Sequence, residues 1–262
     1  MTTEFEGLRA IVTGGASGIG KAASLRLAAE GAVVGVLGHT RSELDETVSA
    51  IEAAGGKAMA LTADVSDEGE MGAAVISLIE RFGHLDIVIA SAGINGVWAP
   101  IDDITPDEWD KTIAVNLRGT YMTLHLTVPH LKKQGSGAIV VISSINGTRT
   151  FSNGGATAYS ATKAGQLAMV QQLALELGKH HIRINAVCPG AIVTEISDNT
   201  EKRHQQEASV PVVWPAGEIP LTDGKPGSAE EVAEAIFFLA SDRSRHITGT
   251  PLWIDGGQSL LR

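Results

Sequence analysis

The sequence predicts a doubly wound α/β fold: a parallel sheet with helices on both faces, in one domain over residues 1–262. Three observations carry this. Seven apolar runs of strand length recur, amphipathic segments separate them, and a glycine-rich turn joins the first run to the first helix. Near-continuous apolar strands belong to sheets buried on both sides, because a half-exposed sheet alternates apolar and polar residues.

The elements follow in order. LRAIVT (8–13) runs into TGGASGIG (13–20), whose glycines at 14, 18 and 20 permit a tight turn at a helix start. AVVGVL (32–37) and KAMALTA (57–63) come next. Asp67 is placed to cap a helix bearing Met71, Ala74, Val75, Leu78, Ile79 and Phe82 on one face, and Gly83 stops it. After LDIVIA (85–90), Thr105-Pro106 opens a helix through Asn116 towards Lys133, closed by Gly135-Ser136-Gly137. AIVVIS (138–143) leads to a helix with Leu167, Val170, Leu173 and Leu177 on one side, then to IRINAVC (182–188) and PLWI (251–254). The long irregular stretch over 190–227, with prolines at 211, 215, 220 and 226, reads as a substrate loop or lid, since such loops in compact domains are functional or mobile.

Composition bounds the partners. With 20 basic and 30 acidic side chains the net charge is −10, and no basic block occurs, which argues against nucleic acid and anionic membrane. The lone Cys188 permits no internal disulfide. The start MTTEFEGLRAIVTGG lacks the long apolar run of a signal peptide, and no stretch reaches membrane-span length, so the expected location is cytoplasmic. The eight histidines form no ligand cluster, and no metal is expected; His84 reads as a dipole partner at the end of its helix.

The glycine turn offers free helix N–H groups to a pyrophosphate, although such turns also serve simply to pack a helix on a sheet. Asp64, in ADVSD, can accept from an adenine amino group or cap the next helix. ASAG (90–93) ends the fourth strand with residues small enough to border a flat ligand. The second strand ends VLGHTR: Gly38 stands where an acid would bind a ribose 2′-hydroxyl, and His39 and Arg41 follow. Arg41 can pair with a 2′-phosphate, which favours NADP(H) over NAD(H), or it is a solvated first-turn residue.

AYSATKAG (158–165) sets Tyr159 one helical turn before Lys163, with only small side chains between. An ammonium so placed lowers the pKa of a phenol, which is otherwise too high for proton transfer near neutrality. Ser143 and Ser144 end the fifth strand with hydroxyls able to hold a carbonyl oxygen. Asn116 sits mid-helix, an unfavourable place for asparagine unless its amide has a task. CPGAIVT (188–194) puts a turn and Thr194 at the carboxyl edge of the sheet, where ligands of open α/β sheets bind.

In combination and order these motifs resemble the short-chain dehydrogenase/reductase family, in its single-domain, Rossmann-like branch. The resemblance spans the chain: T-G-x3-G-I-G, D-V, A-G, the helix asparagine, S-S, Y-x3-K, P-G-x3-T and the terminal IDGG. It implies hydride transfer between a nicotinamide cofactor and a carbonyl/alcohol substrate. Tyr159 would be the general acid/base, Lys163 would hold the nicotinamide ribose, Ser144 would orient the substrate oxygen, and Asn116 would position a relay water. Gly14, Ser17, Gly18, Ile19 and Gly20 would line the cofactor turn, with Asp64 and Val65 by the adenine and Ala92 and Gly93 beside them. Pro189, Gly190, Ile192 and Thr194 would meet the nicotinamide end. Family members pair through the helices bearing Asn116 and Tyr159, which implies a homo-oligomer, a dimer or tetramer.

Three departures stand out. Ser144 to Tyr159 is two residues longer than the family spacing, which bears on which serine faces the substrate. N-N-A-G reads A-S-A-G, and the acid of NAD-using members is absent at Gly38. EKRHQQ (201–206) reads as solvated helix surface, and Trp214 as either a pocket wall or a lid anchor. Competing readings are an NAD-dependent alcohol or polyol dehydrogenase, an epimerase or dehydratase, and a non-catalytic nucleotide-sensing module. The third would need the glycine turn but not Tyr159 and Lys163. The second would need an added substrate domain, which the chain's end soon after IDGG disfavours. An acyl thioester, a sugar or polyol, and a small ketone all fit as substrates.

Overall fold

Successive residues of the apolar runs point to opposite faces, and both faces are buried. On β1 (Arg9–Thr13), Ile11 joins one apolar cluster while Ala10 and Val12 join the other. On β6 (Gly137–Ile142), Ile139 and Val141 face one way, Val140 and Ile142 the other. The structure, a computed structural model, describes residues 3–196, 200–211 and 219–261; Trp214 and Pro215 lie outside them.

One cluster packs under α1 (Gly18–Ala29), α2 (Arg41–Ala53) and α8 (Ala229–Ala240), through Leu27, Leu44, Ile51, Ile236 and Phe237. The other packs under α3 (Glu68–Phe82), α5 (Gly119–Gln134) and α6 (Thr157–Gly178), through Leu78, Leu131, Val170 and Leu177. Each such side chain taken fully from water contributes roughly 1.5–3 kcal/mol, so both helical layers are needed to bury a two-faced sheet.

The seven-stranded sheet runs β3 (Lys57–Thr62), β2 (Val33–Gly38), β1, β4 (Ile87–Ala90), β6, β7 (Ile182–Pro189), β9 (Pro251–Ile254). All six pairings are parallel. The strand order reverses between β1 and β4, which opens a crevice at their carboxyl ends. Thr13 lies level with Leu37 and with Ala90. Its hydroxyl accepts from the backbone N–H of Ser91 (3.1 Å) and Ala92 (3.2 Å), fixing the ASAG segment at the crevice wall.

Local chemistry accounts for the helix boundaries. Asp67 accepts from the Glu70 N–H and caps α3, and Gly83 ends it at positive φ. Thr105 and Glu108 form a reciprocal capping box on α4 (Pro106–Thr112). The helix expected through Asn116 is not uniformly α: a wider π turn, Ile113–Arg118, joins α4 to α5. Such bulges leave backbone groups and side chains free to bond outside the helix.

A second, two-stranded sheet pairs β5 (Val97–Trp98) with β8 (Glu201–Lys202). It corrects the helical reading of 201–206: Glu201 and Lys202 are strand, and only the short α7 (Gln205–Ala208) is helix. His84 is also corrected. Its Nε2 lies 3.1 Å from an Asp86 carboxylate oxygen and 3.3 Å from the Arg9 guanidinium, so side chains rather than the helix end are its partners. Among the described residues no helix is long and apolar enough to cross a membrane.

Gly72 lies inside α3 with nothing within 4 Å of where a β-carbon would stand. Gly72→Ala is expected to stabilise the protein by ~0.5–1 kcal/mol by removing backbone entropy from the unfolded chain, read as a higher denaturant midpoint. A lower midpoint would show that this helical turn is not packed as described.

Candidate active site

The glycine turn is built by contact. A β-carbon on Gly14 would meet Ala92 Cα at 2.9 Å, and one on Gly20 would overlap the Gly14 carbonyl. Gly18 has a φ of +46°, and a β-carbon there would meet Thr194 at 3.2 Å. The structure therefore brings Gly14, Ala92, Gly18 and Thr194 together around the start of α1. Ser17 is the N-cap of α1 but makes no side-chain capping bond, and the first turn carries no acidic side chain. Ile19 packs with the apolar cluster beneath α1.

At the end of β2, Gly38 has room: the nearest atom to an added β-carbon is Leu44 Cδ2 at 3.5 Å. His39 lies close enough to Asp64 to lower its pKa, though the larger cause is the backbone N–H of Ser66, which with the Ser66 hydroxyl donates to Asp64 Oδ1 at 2.8 and 2.7 Å. Asp64 thus forms a local turn, while Asp67 caps α3. Arg41 is exposed, and its Nε bonds both carboxylate oxygens of Asp45 at 2.9 Å, one turn along α2. Val65 is buried, touching the position of Gly119.

Beyond the crevice, Lys163 is buried and its Nζ donates to the Ile142 carbonyl at 2.8 Å, while Ser143 Oγ donates to the Lys163 carbonyl at 2.9 Å. These two bonds tie α6 to the end of β6 and commit Ser143 to structure. Ser144 is the serine that interacts with the Tyr159 hydroxyl. The longer stretch before Tyr159 folds back on α6 at Gly147, where a β-carbon would overlap the Ser160 carbonyl. Asn116, fully buried, clamps Ile94: Oδ1 accepts from its N–H and Nδ2 donates to its carbonyl, both at 2.8 Å. Its second amide hydrogen reaches Thr162 Oγ1 at 3.2 Å. The asparagine amide is thus engaged with protein groups. A β-carbon on Gly93 would stand 3.4 Å from Asn116 Oδ1 and 3.6 Å from Lys163 Nζ, so bare backbone borders the lysine.

The electrostatics differ from expectation in one respect. Burial pushes the Tyr159 phenol above its ordinary 10.0, only partly offset by Ser144, and nearby Cys188 also raises it. Burial likewise lowers Lys163 from 10.5 to about 8. Lys163 is not among the causes that move the phenol, so the lowering expected from a neighbouring ammonium is outweighed by burial. Its Nζ lies 5.4 Å from the phenol ring centroid. Of its three donor positions, the described residues occupy one.

At the nicotinamide end, Pro189 closes β7 opposite Ile254 of β9. Gly190 packs on the terminal IDGG turn: a β-carbon would meet Asp255 Cβ at 2.7 Å, and the Ala191 N–H donates to Gln258 Oε1 at 2.9 Å. Ile192 bridges to Gly227. Sequence reasoning passed over Asn95, Trp98, Thr162 and Arg203. Trp98 lies 6.3 Å from Tyr159 between ring centroids, and Asn95 Nδ2 donates to Thr200 Oγ1 at 2.7 Å. The only signal for either was its place just after ASAG. Among the described residues no three His, Cys, Asp or Glu side chains converge as metal ligands.

Comparison with known proteins gives consistent matches. A family model described as enoyl-(acyl carrier protein) reductase matches residues 14–259. Levodione reductase of Leifsonia aquatica is 37% identical over 261 residues, covering 98% of this chain and 96% of its own. The crystal structure of a 3-ketoacyl-ACP reductase from Sinorhizobium meliloti 1021 superposes with a TM-score of 0.94 at 67% identity, covering 97% of this chain and 100% of its own. That of a 3-ketoacyl-(acyl-carrier-protein) reductase from Brucella melitensis complexed with NADH gives 0.86 at 30% identity, covering 97% and 99%.

The depressed lysine has a consequence for stability. Below about pH 8 the ammonium is present in folded and unfolded chains alike, and the folded state bears its full burial cost. Between about 8 and 10.5 the folded protein has lost this proton and the unfolded chain still holds it, so stability from this group rises with pH. Denaturant unfolding should show Lys163→Met stabilising the protein more at about pH 7 than at about pH 10. A pH-independent difference would contradict the buried, easily deprotonated lysine.

Proposed function

The chain belongs to the short-chain dehydrogenase/reductase family and is an oxidoreductase that binds a nicotinamide dinucleotide; on that footing we propose that it interconverts a carbonyl compound and a secondary alcohol with NADP(H), Tyr159 handling the proton on oxygen. The observation that carries this reading is the convergence of a protonated phenol, Ser144 and a buried lysine with open donors beside the crevice.

The residues suit a dinucleotide. Bare backbone at Gly14, Gly18 and Gly20, with an uncapped helix start at Ser17 and Ile19, would take the pyrophosphate. The free oxygen of Asp64, with Val65, would meet the adenine. Ala92 and Gly93 would form the floor, and Pro189, Gly190, Ile192 and Thr194 the far wall. When bound, the nicotinamide supplies or accepts the hydride. The two open donors of Lys163 would hold ribose hydroxyls, and accepting oxygens there favour the charged lysine.

Tyr159 is protonated at neutral pH, as a phenol with the ordinary value of 10.0 already is, and burial raises that value further, so it has a proton to donate to a carbonyl oxygen. Ser144 would hold that oxygen. Asn116 would act at one remove, by fixing the Ile94 backbone at the end of the ASAG segment. Relatives named for levodione and for 3-ketoacyl-ACP point to the carbonyl side as the substrate.

NADP(H) is favoured because Gly38 presents no carboxylate and the exposed Arg41 can leave Asp45 for a phosphate. NAD(H) is the second reading. The existing Arg41–Asp45 pair and the NADH named with the Brucella melitensis reductase both support it. A homo-oligomer paired through α5 and α6, in the cytoplasm, belongs to the same proposal.

Tyr159→Phe is expected to retain nucleotide affinity and to lose about a hundred- to ten-thousand-fold in kcat on a carbonyl panel, because the ring stays and the proton donor goes. Near-normal turnover would remove the phenol from the mechanism. Gly38→Asp, which the space at β2 admits, should raise kcat/KM with NADH relative to NADPH by at least about tenfold. An unchanged ratio would show that the ribose does not meet Gly38.

A further inference from the structure

Arg203 stands outside every motif of the sequence, yet each of its five N–H donors has an acceptor. Nε donates to Asp103 Oδ2 (3.1 Å), and one terminal nitrogen to Glu108 Oε1 (2.8 Å) and Glu201 Oε1 (3.1 Å). The other donates to Glu108 Oε2 (3.0 Å) and the Asp103 carbonyl (2.7 Å). Full satisfaction of a guanidinium by three carboxylates and a carbonyl is a built arrangement, not a stray surface pair. The carboxylates answer it: Glu108 is held at about 2, chiefly by Arg203, and Asp103 is lowered for the same reason.

The position of this cluster gives it meaning. Asp103 precedes α4, and Glu108 is half of the capping box of the helix that leads into the Asn116 turn. Arg203 follows β8, and its backbone N–H donates to the Trp98 carbonyl at 2.9 Å. Trp98 in turn lies beside Tyr159. A parallel pair of two-residue strands is too short to hold itself together. Gln205 donates to the Gly154 carbonyl at 3.1 Å, and Asn95 to Thr200, so the segment 200–205 spans from the β5 loop to the loop before α6.

We propose that Arg203 is a positioning residue: it clamps the segment 200–205 over the site through Asp103 and Glu108, and so holds Trp98 against Tyr159 as one wall of the substrate pocket. This rests on the reading of Tyr159 as the acid/base. Without the clamp the pocket wall loosens while the nucleotide crevice, formed by other segments, is unaffected.

The test compares wild type with Arg203→Met and Arg203→Lys by backbone hydrogen exchange and by steady-state kinetics. Arg203→Met should speed exchange in 97–103 and 200–208 by about tenfold or more, with β6 unchanged. It should raise KM for the carbonyl substrate about tenfold and leave the nucleotide Kd within about twofold. Arg203→Lys should fall between, because a point charge cannot bridge this set of acceptors. Unchanged exchange, an unchanged KM despite faster exchange, or a lysine variant equal to wild type would overturn the clamp. So would loss of β6 protection together with nucleotide affinity, which would mark general unfolding. Should wild type turn over no carbonyl compound, the reading of Tyr159 fails, and exchange still decides the clamp.

Discussion

An ammonium enclosed at the carboxyl edge of the sheet is the constraint around which the site is arranged. Lys163 gives one bond to the Ile142 carbonyl, and Ser143 bonds the Lys163 carbonyl in return, so the end of β6 and the first turns of α6 are tied together. That registry puts Tyr159 next to Ser144. Among the described residues it leaves two lysine donors without a partner beside the bare backbone of Gly93, where on the proposed reading a ribose would offer hydroxyls. The cost of burying the charge appears as a pKa of about 8, and a ligand that accepts from the ammonium offsets that cost.

The order of the two titrations follows from this burial. Burial lowers the lysine and raises the phenol, so a cation one turn along the helix is not sufficient to make the phenol acidic. Below about pH 8 Lys163 is charged in the free protein, and acceptors that bond its ammonium would extend that charge to higher pH. On the proposed reading, nucleotide binding and acid/base competence would be coupled through this one side chain. The close approaches of Gly14, Gly18 and Gly20 serve the other half of the arrangement, bringing backbone rather than side chains to the crevice wall.

Much of this was legible in the sequence. Strands buried on both faces leave a continuous apolar signal, and the caps at Asp67 and Thr105 and the stop at Gly83 are local chemistry that the structure reproduces. Gly14 and Gly18 after the first strand, Ala92 after the fourth and Thr194 at the carboxyl edge could be placed at strand ends from the sequence, and the strand order then brings them together. What could not be read depends on burial or on contacts far apart in sequence. The direction of the Tyr159 shift needs the solvent exposure of the hydroxyl, which spacing does not contain. The partners of Asn116 lie in another segment, and the two-residue strands β5 and β8 are too short to show a period. Arg203 sits in a run whose composition is that of ordinary surface, and its acceptors Asp103 and Glu108 lie some hundred residues away.

The most direct measurement is the titration of the Tyr159 phenol, followed by phenolate absorbance in a Tyr121→Phe background that leaves one tyrosine. The account predicts a pKa above the ordinary 10.0 in the free protein. It also predicts a downward shift at saturating nucleotide that Lys163→Met abolishes. A phenol that titrates at its ordinary value and ignores both nucleotide and Lys163 would contradict the account.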